Sequence, residues 1–176
     1  IYDIDATVKG NDPDYDAIKL WAAECRMPLC YGGGIKTPEQ ALKILSLGVE
    51  KVALSSAILE NPYLVREIST QVGTQSVVAV LDVKKTMFSG HKVFINNGLK
   101  EIKEDLFDII RKLENQGIGE VVINNIDADG TMGGFDLNFI SKLKNHVQVP
   151  LTYLGGASDL QDIKKVIQEF SPIGVA

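Results

Sequence analysis

Short runs of aliphatic and β-branched residues alternate along the chain with longer segments whose apolar positions recur every three or four residues. That alternation predicts an α/β fold of repeated βα units around a parallel sheet. The expected strands are Ile1–Asp5, Leu29–Tyr31, Lys51–Leu54, Val77–Val83, Glu120–Asn124, Leu151–Leu154 and the stub Gly174–Ala176. Helices are expected at Tyr15–Glu24, Thr37–Leu47, Tyr63–Val72, Glu104–Gln116, Asp136–Lys144 and Asp159–Phe170. Thr37-Pro38-Glu39 offers a cap followed by proline at the first helical position, and Asn61-Pro62 repeats the device. Gly48 and Gly117 end helices and lead directly into the next strands.

No Pro/Ser-rich linker interrupts the series, so residues 1–176 are expected to form one domain. Residues 84–103 stand apart: they are polar and too long for an ordinary βα loop, and Lys92-Val93-Phe94-Ile95 at their centre fits a small hairpin arm. A longer period overlies the βα units. Asp5 precedes Gly32 by 27 residues, and Asp127 precedes Gly155 by 28. The two halves are offset by 122 residues at the aspartates and 123 at the glycines, as in two tandem half-domains. Shifted backwards, strand Val77–Val83 has no counterpart in the chain. Adding roughly 40 residues in front and about 30 behind gives the size of an eight-unit barrel. The expectation is therefore a (β/α)8 TIM barrel of two half-barrel repeats, incomplete by its first βα unit and last helix.

Composition narrows the partners. With 18 basic and 23 acidic side chains, a net charge of -5 and no Lys/Arg-rich run, the chain lacks the electrostatic footprint for nucleic acid or an anionic membrane surface. No apolar stretch approaches the roughly 20 residues of a transmembrane helix, and a cytoplasmic domain is expected. Cys25 and Cys30 are five apart, with only His91 and His146 to complete a metal site. Zinc would want tighter paired spacing, so two buried, reduced thiols are expected, with no metal and no other cofactor.

In a barrel of this kind the chemistry sits in the loops at the carboxyl ends of the strands. Gly33-Gly34 and Gly155-Gly156 follow strands and precede helices, where a backbone without Cβ lets amide N–H groups approach an anion. Ser55 and Ser56 would add donors beside the first pair. Taken singly each pair reads equally as a tight turn. Taken together, related by the half-domain repeat, they fit two phosphate sites and an elongated, doubly phosphorylated small-molecule substrate. Asp129, in Asp127-Ala128-Asp129-Gly130-Thr131, is placed to transfer protons, although an Asp-Gly pair also makes a plain turn. Asp5 and Asp82 at strand ends are expected to orient loops or substrate, and Asn124-Asn125 lies among the same strand ends.

The residues Asp3-Ile4-Asp5-Ala6-Thr7, Tyr31-Gly32-Gly33-Gly34-Ile35-Lys36, Lys51-Val52-Ala53-Leu54-Ser55-Ser56-Ala57, Val80-Leu81-Asp82-Val83-Lys84, Asp127-Ala128-Asp129-Gly130-Thr131 and Leu154-Gly155-Gly156-Ala157 resemble, in order, the cyclase-subunit family of imidazole glycerol phosphate synthase. The resemblance implies a lyase-type (β/α)8 barrel of histidine biosynthesis that takes ammonia from a glutaminase docked on its amino-terminal face. The ammonia would pass through the barrel and attack the ketone of a bis-phosphorylated ribulosyl formimino carboxamide ribonucleotide. Cyclisation and elimination would give imidazole glycerol phosphate and an aminoimidazole carboxamide ribotide. It further implies that Asp129 is one of two acid/base aspartates, that Gly33, Gly34, Ser55, Ser56, Gly155, Gly156, Asp82 and Asn124 bind the substrate, and that Lys51 belongs to an ammonia gate. A lysine capping a strand for solubility is the competing account of Lys51.

Some positions depart from that family. Ala6–Tyr15 differs from the expected Ser-Ser-Glu-Gly-Arg type of loop, and Ala53 and Ser55 stand where serine and asparagine are expected. With Glu24–Tyr31, these features resemble a paralogous branch that supplies ammonia for acetamidino-sugar synthesis in surface polysaccharides and lipopolysaccharide. There the acceptor would be a nucleotide sugar on a separate amidotransferase. A phosphosugar isomerase on the same scaffold and a non-catalytic scaffold protein are the remaining alternatives; ammonia dependence separates the first from a cyclase.

Overall fold

The computed structural model describes residues 1–61, 63–86 and 90–176, with residues 7 and 8 described by their backbone alone. Pro62, expected just ahead of its helix, and residues 87–89 of the arm lie outside the described residues. The element order is α1 (Ile4–Lys9), α2 (Tyr15–Glu24), β1 (Cys30–Gly32), α3 (Pro38–Ser46), β2 (Lys51–Leu54), α4 (Ser56–Glu60), α5 (Leu64–Val72), β3 (Val77–Thr86), β4 (Gly90–Ile95), β5 (Lys100–Glu101), α6 (Leu106–Gln116), β6 (Glu120–Asn125), α7 (Leu137–His146), β7 (Leu151–Leu154), α8 (Leu160–Phe170) and β8 (Gly174–Val175). The βα order is the one expected of an incomplete (β/α)8 barrel. The chain forms two compact units, one of residues 1–79 and 116–119, the other of residues 80–115 and 120–176.

In the first unit β1, β2 and the opening of β3 run parallel, with Gly32 opposite Ala53 and Leu54 opposite Ala79. Pro38 opens α3 behind a complete capping box, in which Thr37 and Gln40 satisfy each other's backbone N–H groups. Leu64, Val65 and Ile68 line one side of α5 at helical spacing and are buried with Ile44, Val52 and Val77. In the second unit β6, β7 and β8 run parallel, with Asn124 opposite Leu154 and Tyr153 opposite Val175. Leu106, Ile109, Ile110 and Leu113 of α6 and Phe139, Ile140 and Leu143 of α7 are buried there. Asp136 and Asp159 cap α7 and α8, each accepting a first-turn backbone N–H.

Three expectations are corrected. Residues Ile1–Asp5 do not form a strand: Tyr2 makes a single parallel bridge to Gly32, and helix begins at Ile4. The cause is Asp3, whose Oδ1 accepts the N–H of Asp5 at 3.1 Å and of Ala6 at 3.0 Å and so caps α1. Asp5 therefore sits in the first helical turn and pairs with Lys9 at 2.6 Å. The second correction concerns β3, which continues beyond Val83 to Thr86. Its antiparallel partner β4 satisfies the backbone groups of residues 82–86, and β5 pairs onto β4. Finally, the cysteines are not a buried pair. Cys25 is exposed at the end of α2, donating from Sγ to Met27 O at 3.2 Å, and Cys30 is half-buried; the two are not joined in a disulfide.

Candidate active site

In the first unit β1 runs into Gly32-Gly33-Gly34. The Asp3 N–H donates to Gly32 O at 2.7 Å and the Gly32 N–H to Ile1 O at 3.0 Å, which lays residues 1–3 along the turn. A Cβ on Gly33 would overlap the carbonyl oxygen of Asp3; one on Gly34 would lie 2.7 Å from Asn11 O and 3.2 Å from the Ala6 Cβ. Ser55 and Ser56 follow β2 at the same strand end, both half-buried. Lys51 opens β2 at the opposite end, also half-buried.

The second unit repeats this construction by itself. There β7 runs into Gly155-Gly156, with φ of 102° and 100°. A Cβ on Gly155 would lie 2.5 Å from Asn125 O, and one on Gly156 would lie 2.6 Å from Gly134 O and 3.5 Å from the Ala128 Cβ. Gly33 against Asp3 and Gly34 against Ala6 thus recur as Gly155 against Asn125 and Gly156 against Ala128, all four residues displaced by 122. Gly33, and not Gly32, is the equivalent of Gly155, which corrects the expected glycine offset of 123 to 122. The close approach makes these glycines necessary to packing whether or not an anion is bound.

Asp129 lies in the turn after β6, where the N–H groups of Ala128 and Asp129 both donate to Asn125 O at 3.0 Å. Its carboxylate is exposed. The Gly134 N–H donates to Gly156 O at 2.7 Å, which ties the segment after Asp129 to the glycine turn. Asp129, Gly155 and Gly156 are therefore together at one strand end of the second unit. Among the same strands, Asn124 Nδ2 donates to Asp82 Oδ1 at 2.8 Å. Burial raises the Asp82 carboxyl above the ordinary carboxylate range, and the Asn124 bond opposes the rise. Asn125 donates to the Tyr153 hydroxyl at 2.9 Å, in a site whose burial pushes that phenol up to about 12.

Three residues of this region were not singled out as site residues from the sequence: Asp136, Lys85 and His91. Asp127 accepts the Lys85 N–H at 3.1 Å, while Asp136 lies near both Lys85 and His91. The pairing of β3 with β4 brings them together across positions far apart in sequence, so only the Asp127 turn and the Asp136 cap left a local signal. At the other end of the strands, the amino-terminal ends of β6, β7 and β8 line a cavity of about 510 Å³ with Glu120, Lys144, Thr152 and Gly174. Thr152 Oγ1 donates there to Glu120 Oε1 at 2.9 Å. Among the described residues no three His, Cys, Asp or Glu side chains gather as a metal site, and no helix is long and apolar enough to cross a membrane.

A family model described as histidine biosynthesis protein matches residues 1–175. The chain belongs to that family. A Vibrio vulnificus protein provisionally named imidazole glycerol phosphate synthase subunit hisF3 is 50% identical over all of the chain and 68% of its own length. A Leptospira borgpetersenii protein provisionally named imidazole glycerol phosphate synthase subunit HisF is 46% identical over all of the chain and 70% of its own length. The imidazole glycerol phosphate synthase subunit HisF of Dictyoglomus thermophilum is 34% identical over 96% of the chain and 67% of its own length.

The Asp82 environment makes a testable statement about stability. An acid raised on folding is most favourable to the folded state below its unfolded pKa, and that contribution is lost as pH rises through the folded value. As pH rises the folded protein increasingly bears the cost of ionising a partly desolvated carboxylate, a cost that the unfolded chain does not bear. Asp82→Asn is expected to be more stabilising, or less destabilising, at pH 7 than at pH 3. Urea denaturation at the two pH values checks this, and an equal effect at both would remove burial as the dominant influence.

Proposed function

We propose that this chain is an ammonia-dependent cyclase subunit of the imidazole glycerol phosphate synthase type, an enzyme component that works with a glutaminase. Membership of the histidine biosynthesis family across residues 1–175 carries the reading. In the proposed reaction ammonia adds to the ketone of a bis-phosphorylated ribonucleotide and water leaves. Ring closure and elimination then yield imidazole glycerol phosphate and an aminoimidazole carboxamide ribotide. These steps need proton transfer at the reacting centre, and Asp129 is the group assigned to it. Its exposed carboxylate, on a turn fixed by two backbone bonds to Asn125, suits a group that must reach substrate while its backbone stays in place.

Gly33, Gly34, Ser55 and Ser56 are assigned to one phosphate, and Gly155 and Gly156 to the other. The supporting feature is the repeated construction, which presents equivalent backbone at equivalent strand ends in each unit. Asp82 and Asn124 are assigned to orienting the substrate, Asp82 through a carboxylate already held by the Asn124 amide. Lys51 is assigned to the ammonia gate on the strength of its place at the start of β2. The glutaminase is assigned to the amino-terminal strand ends, where the cavity beside Glu120 and Lys144 offers charged groups of both signs. The reading treats all 176 residues as one catalytic domain, working in the cytoplasm without a metal or other cofactor.

A second reading, in which ammonia is passed to a nucleotide sugar on a separate amidotransferase, rests on two positions. Ala53 and Ser55 stand where serine and asparagine are expected of a histidine-pathway cyclase, so these two positions offer a bound ribonucleotide fewer polar groups. The protein assayed with its glutaminase and with ammonium salt, on each acceptor separately, decides between them. Consumption of the bis-phosphorylated ribonucleotide is the expected result. Turnover of the nucleotide sugar alone would replace the reading, and turnover without ammonia would sink both in favour of an isomerase.

A further inference from the structure

The cross-strand pair Lys85 and His91 stands in register between β3 and β4, and it holds both ends of the segment that carries Asp129. At the start of that segment, Asp127 Oδ2 accepts the Lys85 N–H at 3.1 Å. At its end, Asp136 Oδ2 lies 3.7 Å from Lys85 Nζ and 3.8 Å from His91 Nε2. The other oxygen of Asp136 accepts the Phe139 N–H at 3.0 Å and caps α7. The His91 ring lies flat on Phe139, centroids 3.5 Å and planes 3° apart. Its side chain is only 10% exposed, and Nε2 is buried without a hydrogen-bond partner.

A separation of 3.8 Å is too long for a hydrogen bond and short enough for a strong charge interaction in a partly buried site. A proton on Nε2 would turn an unpartnered nitrogen into a donor aimed at Asp136. We infer that His91 is a positioning residue for the Asp129 segment, and that its protonation draws Asp136 away from Lys85 and moves Asp129 out of its working place. The inference rests on the proposed role of Asp129. Every charged group facing the ring enters the balance: Asp136 at the α7 cap and Asp127 after β6 favour the imidazolium, while Lys85 on β3 and Lys142 on α7 oppose it. Burial is the largest influence and keeps the imidazole below its ordinary value, so the ring is neutral at pH 7 and takes its proton only on the acid side.

The test follows the backbone amide NMR signals of Asp129, Gly130 and Thr131 in the full chain from about pH 8 to about pH 5, together with kcat over the same range. In the wild type these amides are expected to shift in step with the His91 ring signals, and kcat to fall with the same ionisation while KM for the bis-phosphorylated substrate stays constant. His91→Phe keeps the ring stack and Asp136→Asn keeps the α7 cap, yet each is expected to abolish the coupled amide shift and remove that ionisation from kcat. If either folded variant retains the amide shift, or retains the ionisation in kcat, the inference is overturned. Should His91→Phe fail to fold, Asp136→Asn makes the same comparison. A wild type that shows the coupled shift but no cyclase turnover supports the clamp and refutes the proposed reaction, so the two failures are distinguishable.

Discussion

Asp129→Asn is expected to lower ammonia-dependent turnover by about 10²-fold or more, because the amide cannot exchange the proton that cyclisation and elimination move. Affinity for the bis-phosphorylated substrate should stay near the wild-type value. The same substitution should leave stability nearly unchanged, since the carboxylate is exposed and the turn is held through the Asp129 backbone N–H. Steady-state kinetics with ammonium salt, alongside substrate binding measured by calorimetry, separates the two effects. Turnover equal to wild type would remove Asp129 from the mechanism. A loss of both binding and stability would instead mark it as part of the turn.

The second large effect is expected at Gly156. Alanine there must adopt a φ near 100° and place its Cβ 2.6 Å from the Gly134 carbonyl oxygen. Backbone strain alone costs about 1–2 kcal/mol, and the overlap raises the expected loss to about 2–4 kcal/mol. Gly130→Ala is the matched control: its φ is 70°, but no atom lies within 4 Å of the added Cβ, so only strain acts. Urea denaturation midpoints of the two variants measure the difference. Equal losses would show that the approach to Gly134 relaxes freely. Because Gly156 O accepts the Gly134 N–H, the Gly156 variant should also weaken substrate binding by disturbing the segment that follows Asp129.

The same pair of glycines shows where sequence reading stops. Periodicity placed Gly155-Gly156 after a strand, and spacing related them to an earlier glycine turn. The reason for glycine that the sequence suggested was backbone approach to an anion. The contacts supply a reason independent of ligand, namely the Asn125 and Gly134 carbonyl oxygens occupying the space a Cβ would need. They also move the repeat into register at 122 residues for both glycine pairs.

The amino-terminal segment shows a different limit. Ile1-Tyr2-Asp3-Ile4-Asp5 alternates apolar and acidic residues as a strand does, yet Asp3 bonds two backbone N–H groups ahead of it and starts a helix. A local side-chain bond won over a two-residue period that had only five residues in which to express itself. The Cys25 thiol was misplaced for a similar reason: a generally buried residue type fell at the exposed end of a helix, where position outweighs preference.

By itself the sequence determined the α/β alternation, six of the helices and the parallel strands to within a few residues, together with the tandem repeat and the turns that carry Asp129 and the glycines. Those features are written in short windows, as the spacing of apolar residues, caps and glycines, and such signals survive without knowledge of the rest of the chain. The tertiary structure alone decided that Lys85 and His91 meet Asp127 and Asp136. It also decided that Asp82 accepts a hydrogen bond from Asn124 and that β3 continues past Val83 in register with β4. Each of these depends on residues some 40 or more positions apart in sequence, or on strand register, and the free energy that selects them is packing and backbone pairing between segments.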